Sequence, residues 1–323
     1  MLEKVLLGLV AVPYLVGAAA APTDRAQVAF TFQDNEIVES SGIAVVGDLV
    51  ATTNDSGDTG RVFAVDPATG ETVGTTGWGA ATDAEALAPA GDREVWVGDI
   101  GDNTESRDSV QVTRVPVGRG SRDVDGQVYD LVYPDGPHDA ETLMTDPTTG
   151  RLYVATKGVL GGALYAAPET LDPDRPNLLE PMGDVLPIAT DGTFLPDGQR
   201  LVIRNYGMAA VYDFPSMEQV EQFRLPDQEQ GEGLAVDSDG SLLLSSEGVH
   251  SDVLRVALPT PNPAPTAASS AEPTPSPTVR TESREDVELP GSTQTQRSAW
   301  PWLLGGLIGL GTVVVLTRSM RRR

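Results

Sequence analysis

One short phrase recurs along the chain and sets what it can fold into. It reads Asp83-Ala84-Glu85-Ala86-Leu87-Ala88, then Asp139-Ala140-Glu141-Thr142-Leu143-Met144, then Gly231-Glu232-Gly233-Leu234-Ala235, with a looser copy at Ser40-Ser41-Gly42-Ile43-Ala44. Each copy precedes a turn and a run of strand-forming residues. A sheet unit repeated in this way cannot bury its faces alone and must stack on its neighbours.

Laid on one another, five units appear. Their heads are Ser41-Gly42-Ile43-Ala44, Glu85-Ala86-Leu87-Ala88, Glu141-Thr142-Leu143-Met144, Thr190-Asp191-Gly192-Thr193-Phe194 and Glu232-Gly233-Leu234-Ala235-Val236. Each is followed by two β-type runs, such as Glu94 to Gly98 and Val110 to Val115, separated by turns such as Asp66-Pro67-Ala68-Thr69-Gly70 and Pro196-Asp197-Gly198. The heads are spaced by 44, 56, 49 and 42 residues, which brackets a four-stranded propeller blade. No segment holds a helical period. The expected fold is therefore all-β, a five-bladed β-propeller, with six blades as the alternative if two units have been merged. A fourth strand is visible at Gln127 to Tyr133 and at Val220 to Leu225, while unit five lacks one. The spare run Gln27 to Phe32 is expected to pair with unit five, closing the ring and hiding its edges.

The flanks read differently. Residues 1–20 carry Lys4, an apolar run from Val5 to Val16 and the small residues Ala18-Ala19-Ala20, the pattern of a cleaved secretory signal. The propeller is expected over 21–258. Residues 259–298 are rich in Pro, Ser and Thr and suit a disordered surface stalk. Residues 299–317 suit one transmembrane helix, and 318–323 a basic cytoplasmic tail under the positive-inside rule. Leu289-Pro290-Gly291-Ser292-Thr293 departs from a sortase signal at the scissile pair, which favours a retained anchor. These signals place the propeller outside the cell membrane.

Charge narrows the partners. Asp and Glu number 47 against 22 Lys and Arg, a net charge of −25, so nucleic acid is excluded as a partner. Cysteine is absent, so an exported fold must rest on its core.

The ectodomain resembles a family of exported actinobacterial β-propellers described as membrane or esterase-like phytase-family proteins. The likeness rests on Glu39-Ser40-Ser41-Gly42-Ile43-Ala44, Asn54-Asp55-Ser56-Gly57-Asp58, Asp83-Ala84-Glu85-Ala86-Leu87-Ala88 and Trp96-Val97-Gly98-Asp99-Ile100-Gly101-Asp102-Asn103, and covers about residues 27–258. More distantly the chain is similar to calcium-dependent propeller lactonases. That likeness implies a metal over the central tunnel held by Glu, Asn and Asp.

In a propeller the first strand of each blade lines the channel, so Glu85, Glu141 and Glu232 are expected to crowd at one end with Asp191 nearby. Their repulsion requires protonation, a basic neighbour or a cation. Oxygen donors without Cys or His favour a hard ion, and Ca²⁺ is expected on some of Glu85, Glu141, Glu232, Asp99 and Asn103. The loops at that mouth make Glu39, Asn54, Asp55, Asp102, Lys157, Asp191, Arg204, Asn205 and Glu247 the candidate ligand-binding set. His138, beside Asp139, is the candidate base for metal-assisted hydrolysis. No Gly-x-Ser-x-Gly elbow, phosphate-cradling loop or zinc spacing occurs. Three functions stay open: a membrane-tethered module binding a cation or small polar ligand, a hydrolase of esters, lactones or phosphoesters, and a scaffold for another cell-surface protein.

Overall fold

A computed structural model describes residues 26–55 and 57–259. The signal at 1–20, the stalk beyond Pro259, the helix at 299–317 and the tail at 318–323 lie outside the described residues. Among the described residues every regular element is a strand, and no helix is long and apolar enough to cross a membrane.

The strands form five sheets, and these are the five blades of a propeller. The first strand, β1 (Ala26–Thr31), is set apart from the unit that follows it. Blade one is β2 (Ser40–Val46), β3 (Leu49–Asn54), β4 (Gly60–Asp66) and β5 (Glu71–Gly79). Blade two is β6 (Ala84–Pro89), β7 (Glu94–Asp99), β8 (Val110–Pro116) and, after the short β9 (Arg122–Asp123), β10 (Val128–Val132). Blade three is β11 (Ala140–Thr145), β12 (Leu152–Thr156), β13 (Gly162–Ala166) and, after β14 (Asn177–Leu178), β15 (Glu180–Val185). Blade four is β16 (Asp191–Phe194), β17 (Arg200–Arg204), β18 (Met208–Asp213) and β19 (Glu218–Arg224). Blade five is β20 (Gly231–Val236), β21 (Leu242–Ser246) and β22 (Asp252–Val256), with β1 as its outer strand.

Every predicted head begins a first strand, and β1 pairs antiparallel with β22 as expected, Ala26 opposite Val256. The wide spacing between units two and three has a visible cause. Before laying down its fourth strand, the chain swings back so that β9 pairs in parallel with β5 of blade one. The same device in blade three places β14 against β10 of blade two. Each excursion covers the outer edge of the preceding blade, which an open sheet would leave unpaired.

First strands touch in cyclic order, β2 to β6 to β11 to β16 to β20 and back to β2. The apolar core lies in the wedges between blades. Leu87, Val97 and Val62 fill the wedge between blades one and two, and Leu143, Val112 and Tyr165 the next. Phe194, Tyr153 and Ile203 pack between blades three and four, Leu234, Leu244 and Val211 between four and five, and Phe63, Phe32 and Leu243 close the circle. Gly42 shows how tight the inner ring is. A Cβ there would lie 2.5 Å from the backbone nitrogen of Leu87, so only glycine lets β2 approach β6.

Candidate functional site

The heads of the first strands owe their aim to a repeated irregularity. Pairing with the second strand slips between Ser40 and Gly42, Ala84 and Ala86, Ala140 and Thr142, and Gly231 and Leu234. Ser41, Glu85, Glu141 and Glu232 sit in these slips. A bulge inserts one residue out of register and re-aims its side chain. Blade four keeps regular pairing, Asp191 opposite Arg204, and carries the shorter carboxylate.

Glu85, Glu141 and Glu232 are each 5% exposed, and they meet at one end of the channel. Ser41 of blade one donates its hydroxyl to Glu85, 2.8 Å to the carboxylate. Lys157, just past β12, binds Glu141 and lies 5.7 Å from the Tyr206 ring. The second oxygen of Glu141 is buried with no hydrogen-bond partner among the described residues. Arg204 is wholly buried between Asp191 and Glu232 and donates to the carbonyl of Gly233 at 3.1 Å and to Gln228 at 3.2 Å. Asp191 accepts from the backbone N–H groups of Gly192 and Leu234. Glu247 accepts from Gln230 at 2.5 Å.

Burial governs the charge states. It lifts Glu85 to about 9, with Glu141 and Asp55 adding repulsion, and lifts Glu232 to about 8 against the pull of Lys157 and Arg204. Asp191 rises well above the carboxylate range for the same reason. Burial alone would lower Lys157, but Glu141, Tyr206 and Glu232 outweigh it and hold the ammonium charged. Burial lifts Glu141 to about 8 as well, with Lys157 pulling it down and Glu232 pushing it up. Burial also raises Asp83, reinforced by Asp55 and Asp139.

Three carboxylates converge at the boundary of blades one and two. Asp55, Asp83 and Glu85 each bring an oxygen within 4.8 Å of the others. Asp83 is held by its own backbone, whose N–H donates to Asp99 at 3.0 Å and whose carbonyl accepts from Gly101 at 3.1 Å. A Cβ on Gly101 would lie 2.4 Å from an Asp83 carboxylate oxygen, which is why a glycine follows Ile100. Asp83 was not among the expected ligands, although its place two residues before Glu85 matches that of Asp139 before Glu141. That repeat was the available signal.

Other expected residues are engaged elsewhere. Asp99 is occupied by Thr82 and Asp83 N–H groups and by Arg107 at 2.8 Å, and Asn103 is exposed in the β7–β8 loop. Asp102 caps that loop by accepting from Ser106 and Arg107 N–H groups. Asn54 latches the segment before β2, accepting from Val38 and Glu39 and donating to Glu36 and Asp58. Asn205 shapes the β17–β18 turn through Gly207 and Met208. Glu39 is half-buried and repels Glu247 across the blade five boundary. His138 sits in a cluster of tyrosines. Its ring packs on Tyr133 and Tyr165, with Nε2 3.2 Å from the Tyr165 hydroxyl and 3.1 Å from Asp135. Asp139 accepts from the Asp102 N–H at 2.9 Å.

No protein-family model and no curated protein matches the chain.

Proposed function

We propose that the propeller is a binding module that holds a divalent cation, Ca²⁺ by donor type, at the acidic end of its channel. Asp55, Asp83 and Glu85 are the primary donors, with the partnerless oxygen of Glu141 as a neighbouring one. The single observation that carries this reading is the convergence of three carboxylate oxygens within 4.8 Å. Hard oxygen donors suit calcium, whose shell of about six to eight oxygens would be completed by further carbonyl or water oxygens.

Ala26 and Val256, the first and last residues of the ring-closing strand pair, lie at the opposite end of the propeller from the glutamates.

Calorimetry on the chelator-stripped protein tests the proposal. Calcium at millimolar concentration is expected to give binding heat and a rise in melting temperature, and Glu85→Gln to abolish both. No heat and no thermal shift in the unaltered chain would defeat it.

A further inference from the structure

In four blades the connection from the third strand to the fourth reaches the outer strand of the preceding blade. In blade two it carries β9, which pairs with β5 at Thr76 and Gly77. In blade three it carries β14, which pairs with β10 at Leu131 and Val132. In blade four it is the turn after β18, and a Cβ added to Gly183 of β15 would lie 2.9 Å from the Met217 Cβ in that turn. In blade one it is the turn after β4, where a Cβ on Gly70 would lie 1.9 Å from the Thr31 carbonyl oxygen of β1. The outer edges of blades one, two, three and five are covered in this way, as exposed sheet edges require.

The outer edge of blade four is left over. Among the described residues, β18 is the only strand that pairs with β19, and Val220 on β19 is 49% exposed. By the rule of the other blades, its cover belongs to the chain that follows β22 of blade five. That chain is already delivered to the place. Leu258 packs on the core between blades four and five, and Leu258 and Pro259 line a groove of ≈ 430 Å³ with Val211, Val220 and Glu221. β22 finishes at the end of the propeller where β19 starts, so a chain continuing along this edge runs parallel to β19, as β9 and β14 run parallel to their partners.

The residues that come next suit an outermost strand. They alternate, Pro259-Thr260-Pro261-Asn262-Pro263. A residue before proline is held extended. In an extended chain the backbone groups of successive residues face opposite sides. Thr260 and Asn262 can therefore turn N–H and C=O toward β19, while Pro261 and Pro263 face outward and leave no N–H unpaired.

We propose that residues 260–263 dock on the outer edge of β19 as a short parallel strand, paired through Thr260 and Asn262. The Pro-rich stalk then starts beyond Pro263, from the flank of blade four. The proposal is independent of the cation site.

Hydrogen exchange on the full-length chain tests it. Asn262→Pro removes one inward N–H and is expected to speed exchange of the outward-facing amides of β19 roughly tenfold. Pro261→Ala, at an outward position, is expected to leave them unchanged. Equal exchange in the unaltered and Asn262→Pro chains would overturn the pairing. The absence of cysteine allows a second measurement. Gln222→Cys, exposed on β19, is combined with one cysteine at Thr260, Pro261, Asn262 or Pro263, and separately with Ala271→Cys in the stalk. At least one of the first four pairs is expected to form an intramolecular disulfide roughly tenfold faster than the Ala271 pair, because bridging needs close approach. Rates no faster than that of the Ala271 pair would overturn the proposal. Disulfide dimers of the single Gln222→Cys chain at micromolar concentration would also overturn it, by showing that a second copy holds the edge.

Discussion

At the scale of single residues, the acidic end is organised by one ammonium. Lys157 is the basic group in contact with Glu141, and it offsets Glu232 as well. Removing one member of a buried pair strands the other charge, at a cost of roughly 3–5 kcal/mol. Lys157→Met is therefore expected to lose that much stability in urea titrations at pH 7, and the double change Lys157→Met with Glu141→Gln to recover most of it. Equal losses in the single and double variants would show that Lys157 acts through packing alone. Sequence reading found Glu85, Glu141, Glu232 and Lys157 because a repeat superimposes them on paper. It could not find the role of Asp99, since nothing in the string says that Arg107 reaches back to it. Nor could it show that His138 turns into a tyrosine cluster, because rings from blades two and three meet there only once the wedge is packed.

At the scale of strands, the inner ring depends on close approach and on the bulges that turn the head residues inward. Gly42→Ala would drive a methyl group into the backbone of Ala86 and Leu87, which cannot yield as a flexible side chain can. A loss of about 1–3 kcal/mol is expected, read as a lower urea midpoint with the slope unchanged. Asn54→Ala should cost a comparable amount. It leaves the Val38 and Glu39 N–H groups without their acceptor and frees the segment that carries the chain from β1 to β2. Faster proteolysis within 33–39 would report that release. The same elements explain which strands were legible. β10 is rich in strand formers and β19 carries Val220 and Phe223, and both were visible, as was β1 with its expected closure of the ring. β5 carries Gly74, Gly77 and Gly79, and β15 carries Pro181 and Gly183, so neither reads as a strand. Both are outer strands, whose pairing is set by the blade already in place. β9 and β14 are two residues each and exist through contacts with the preceding blade, which no local pattern encodes.

At the scale of the whole propeller, the buried carboxylates make stability depend on pH in an unusual direction. Folding raises Glu85 to about 9 and both Glu141 and Glu232 to about 8, whereas an unfolded glutamate titrates near 4.5. Between those limits the folded state holds protons that the unfolded chain has released. Stability is then full below about pH 4.5 for these groups and falls as pH rises until the folded pKa is passed. Carboxylates lowered by hydrogen bonds, such as Asp58 and Asp146, work the other way. Their contribution is lost only as pH falls below the ordinary aspartate range, so it is constant above pH 5. Lys157 is charged in both states across the same interval. Chelator-treated protein is accordingly expected to lose stability steadily from pH 5 to pH 8.5 in urea titrations. Calcium binds the ionised carboxylates, so its effect should grow over the same range. At a hundredfold excess over the dissociation constant it adds about 2.7 kcal/mol, which would flatten or reverse the decline at the alkaline end. Glu85→Gln should flatten the decline without calcium, because the amide needs no proton. A stability that rises with pH in the absence of metal would mean that the channel glutamates are ionised and already neutralised by Lys157 and Arg204.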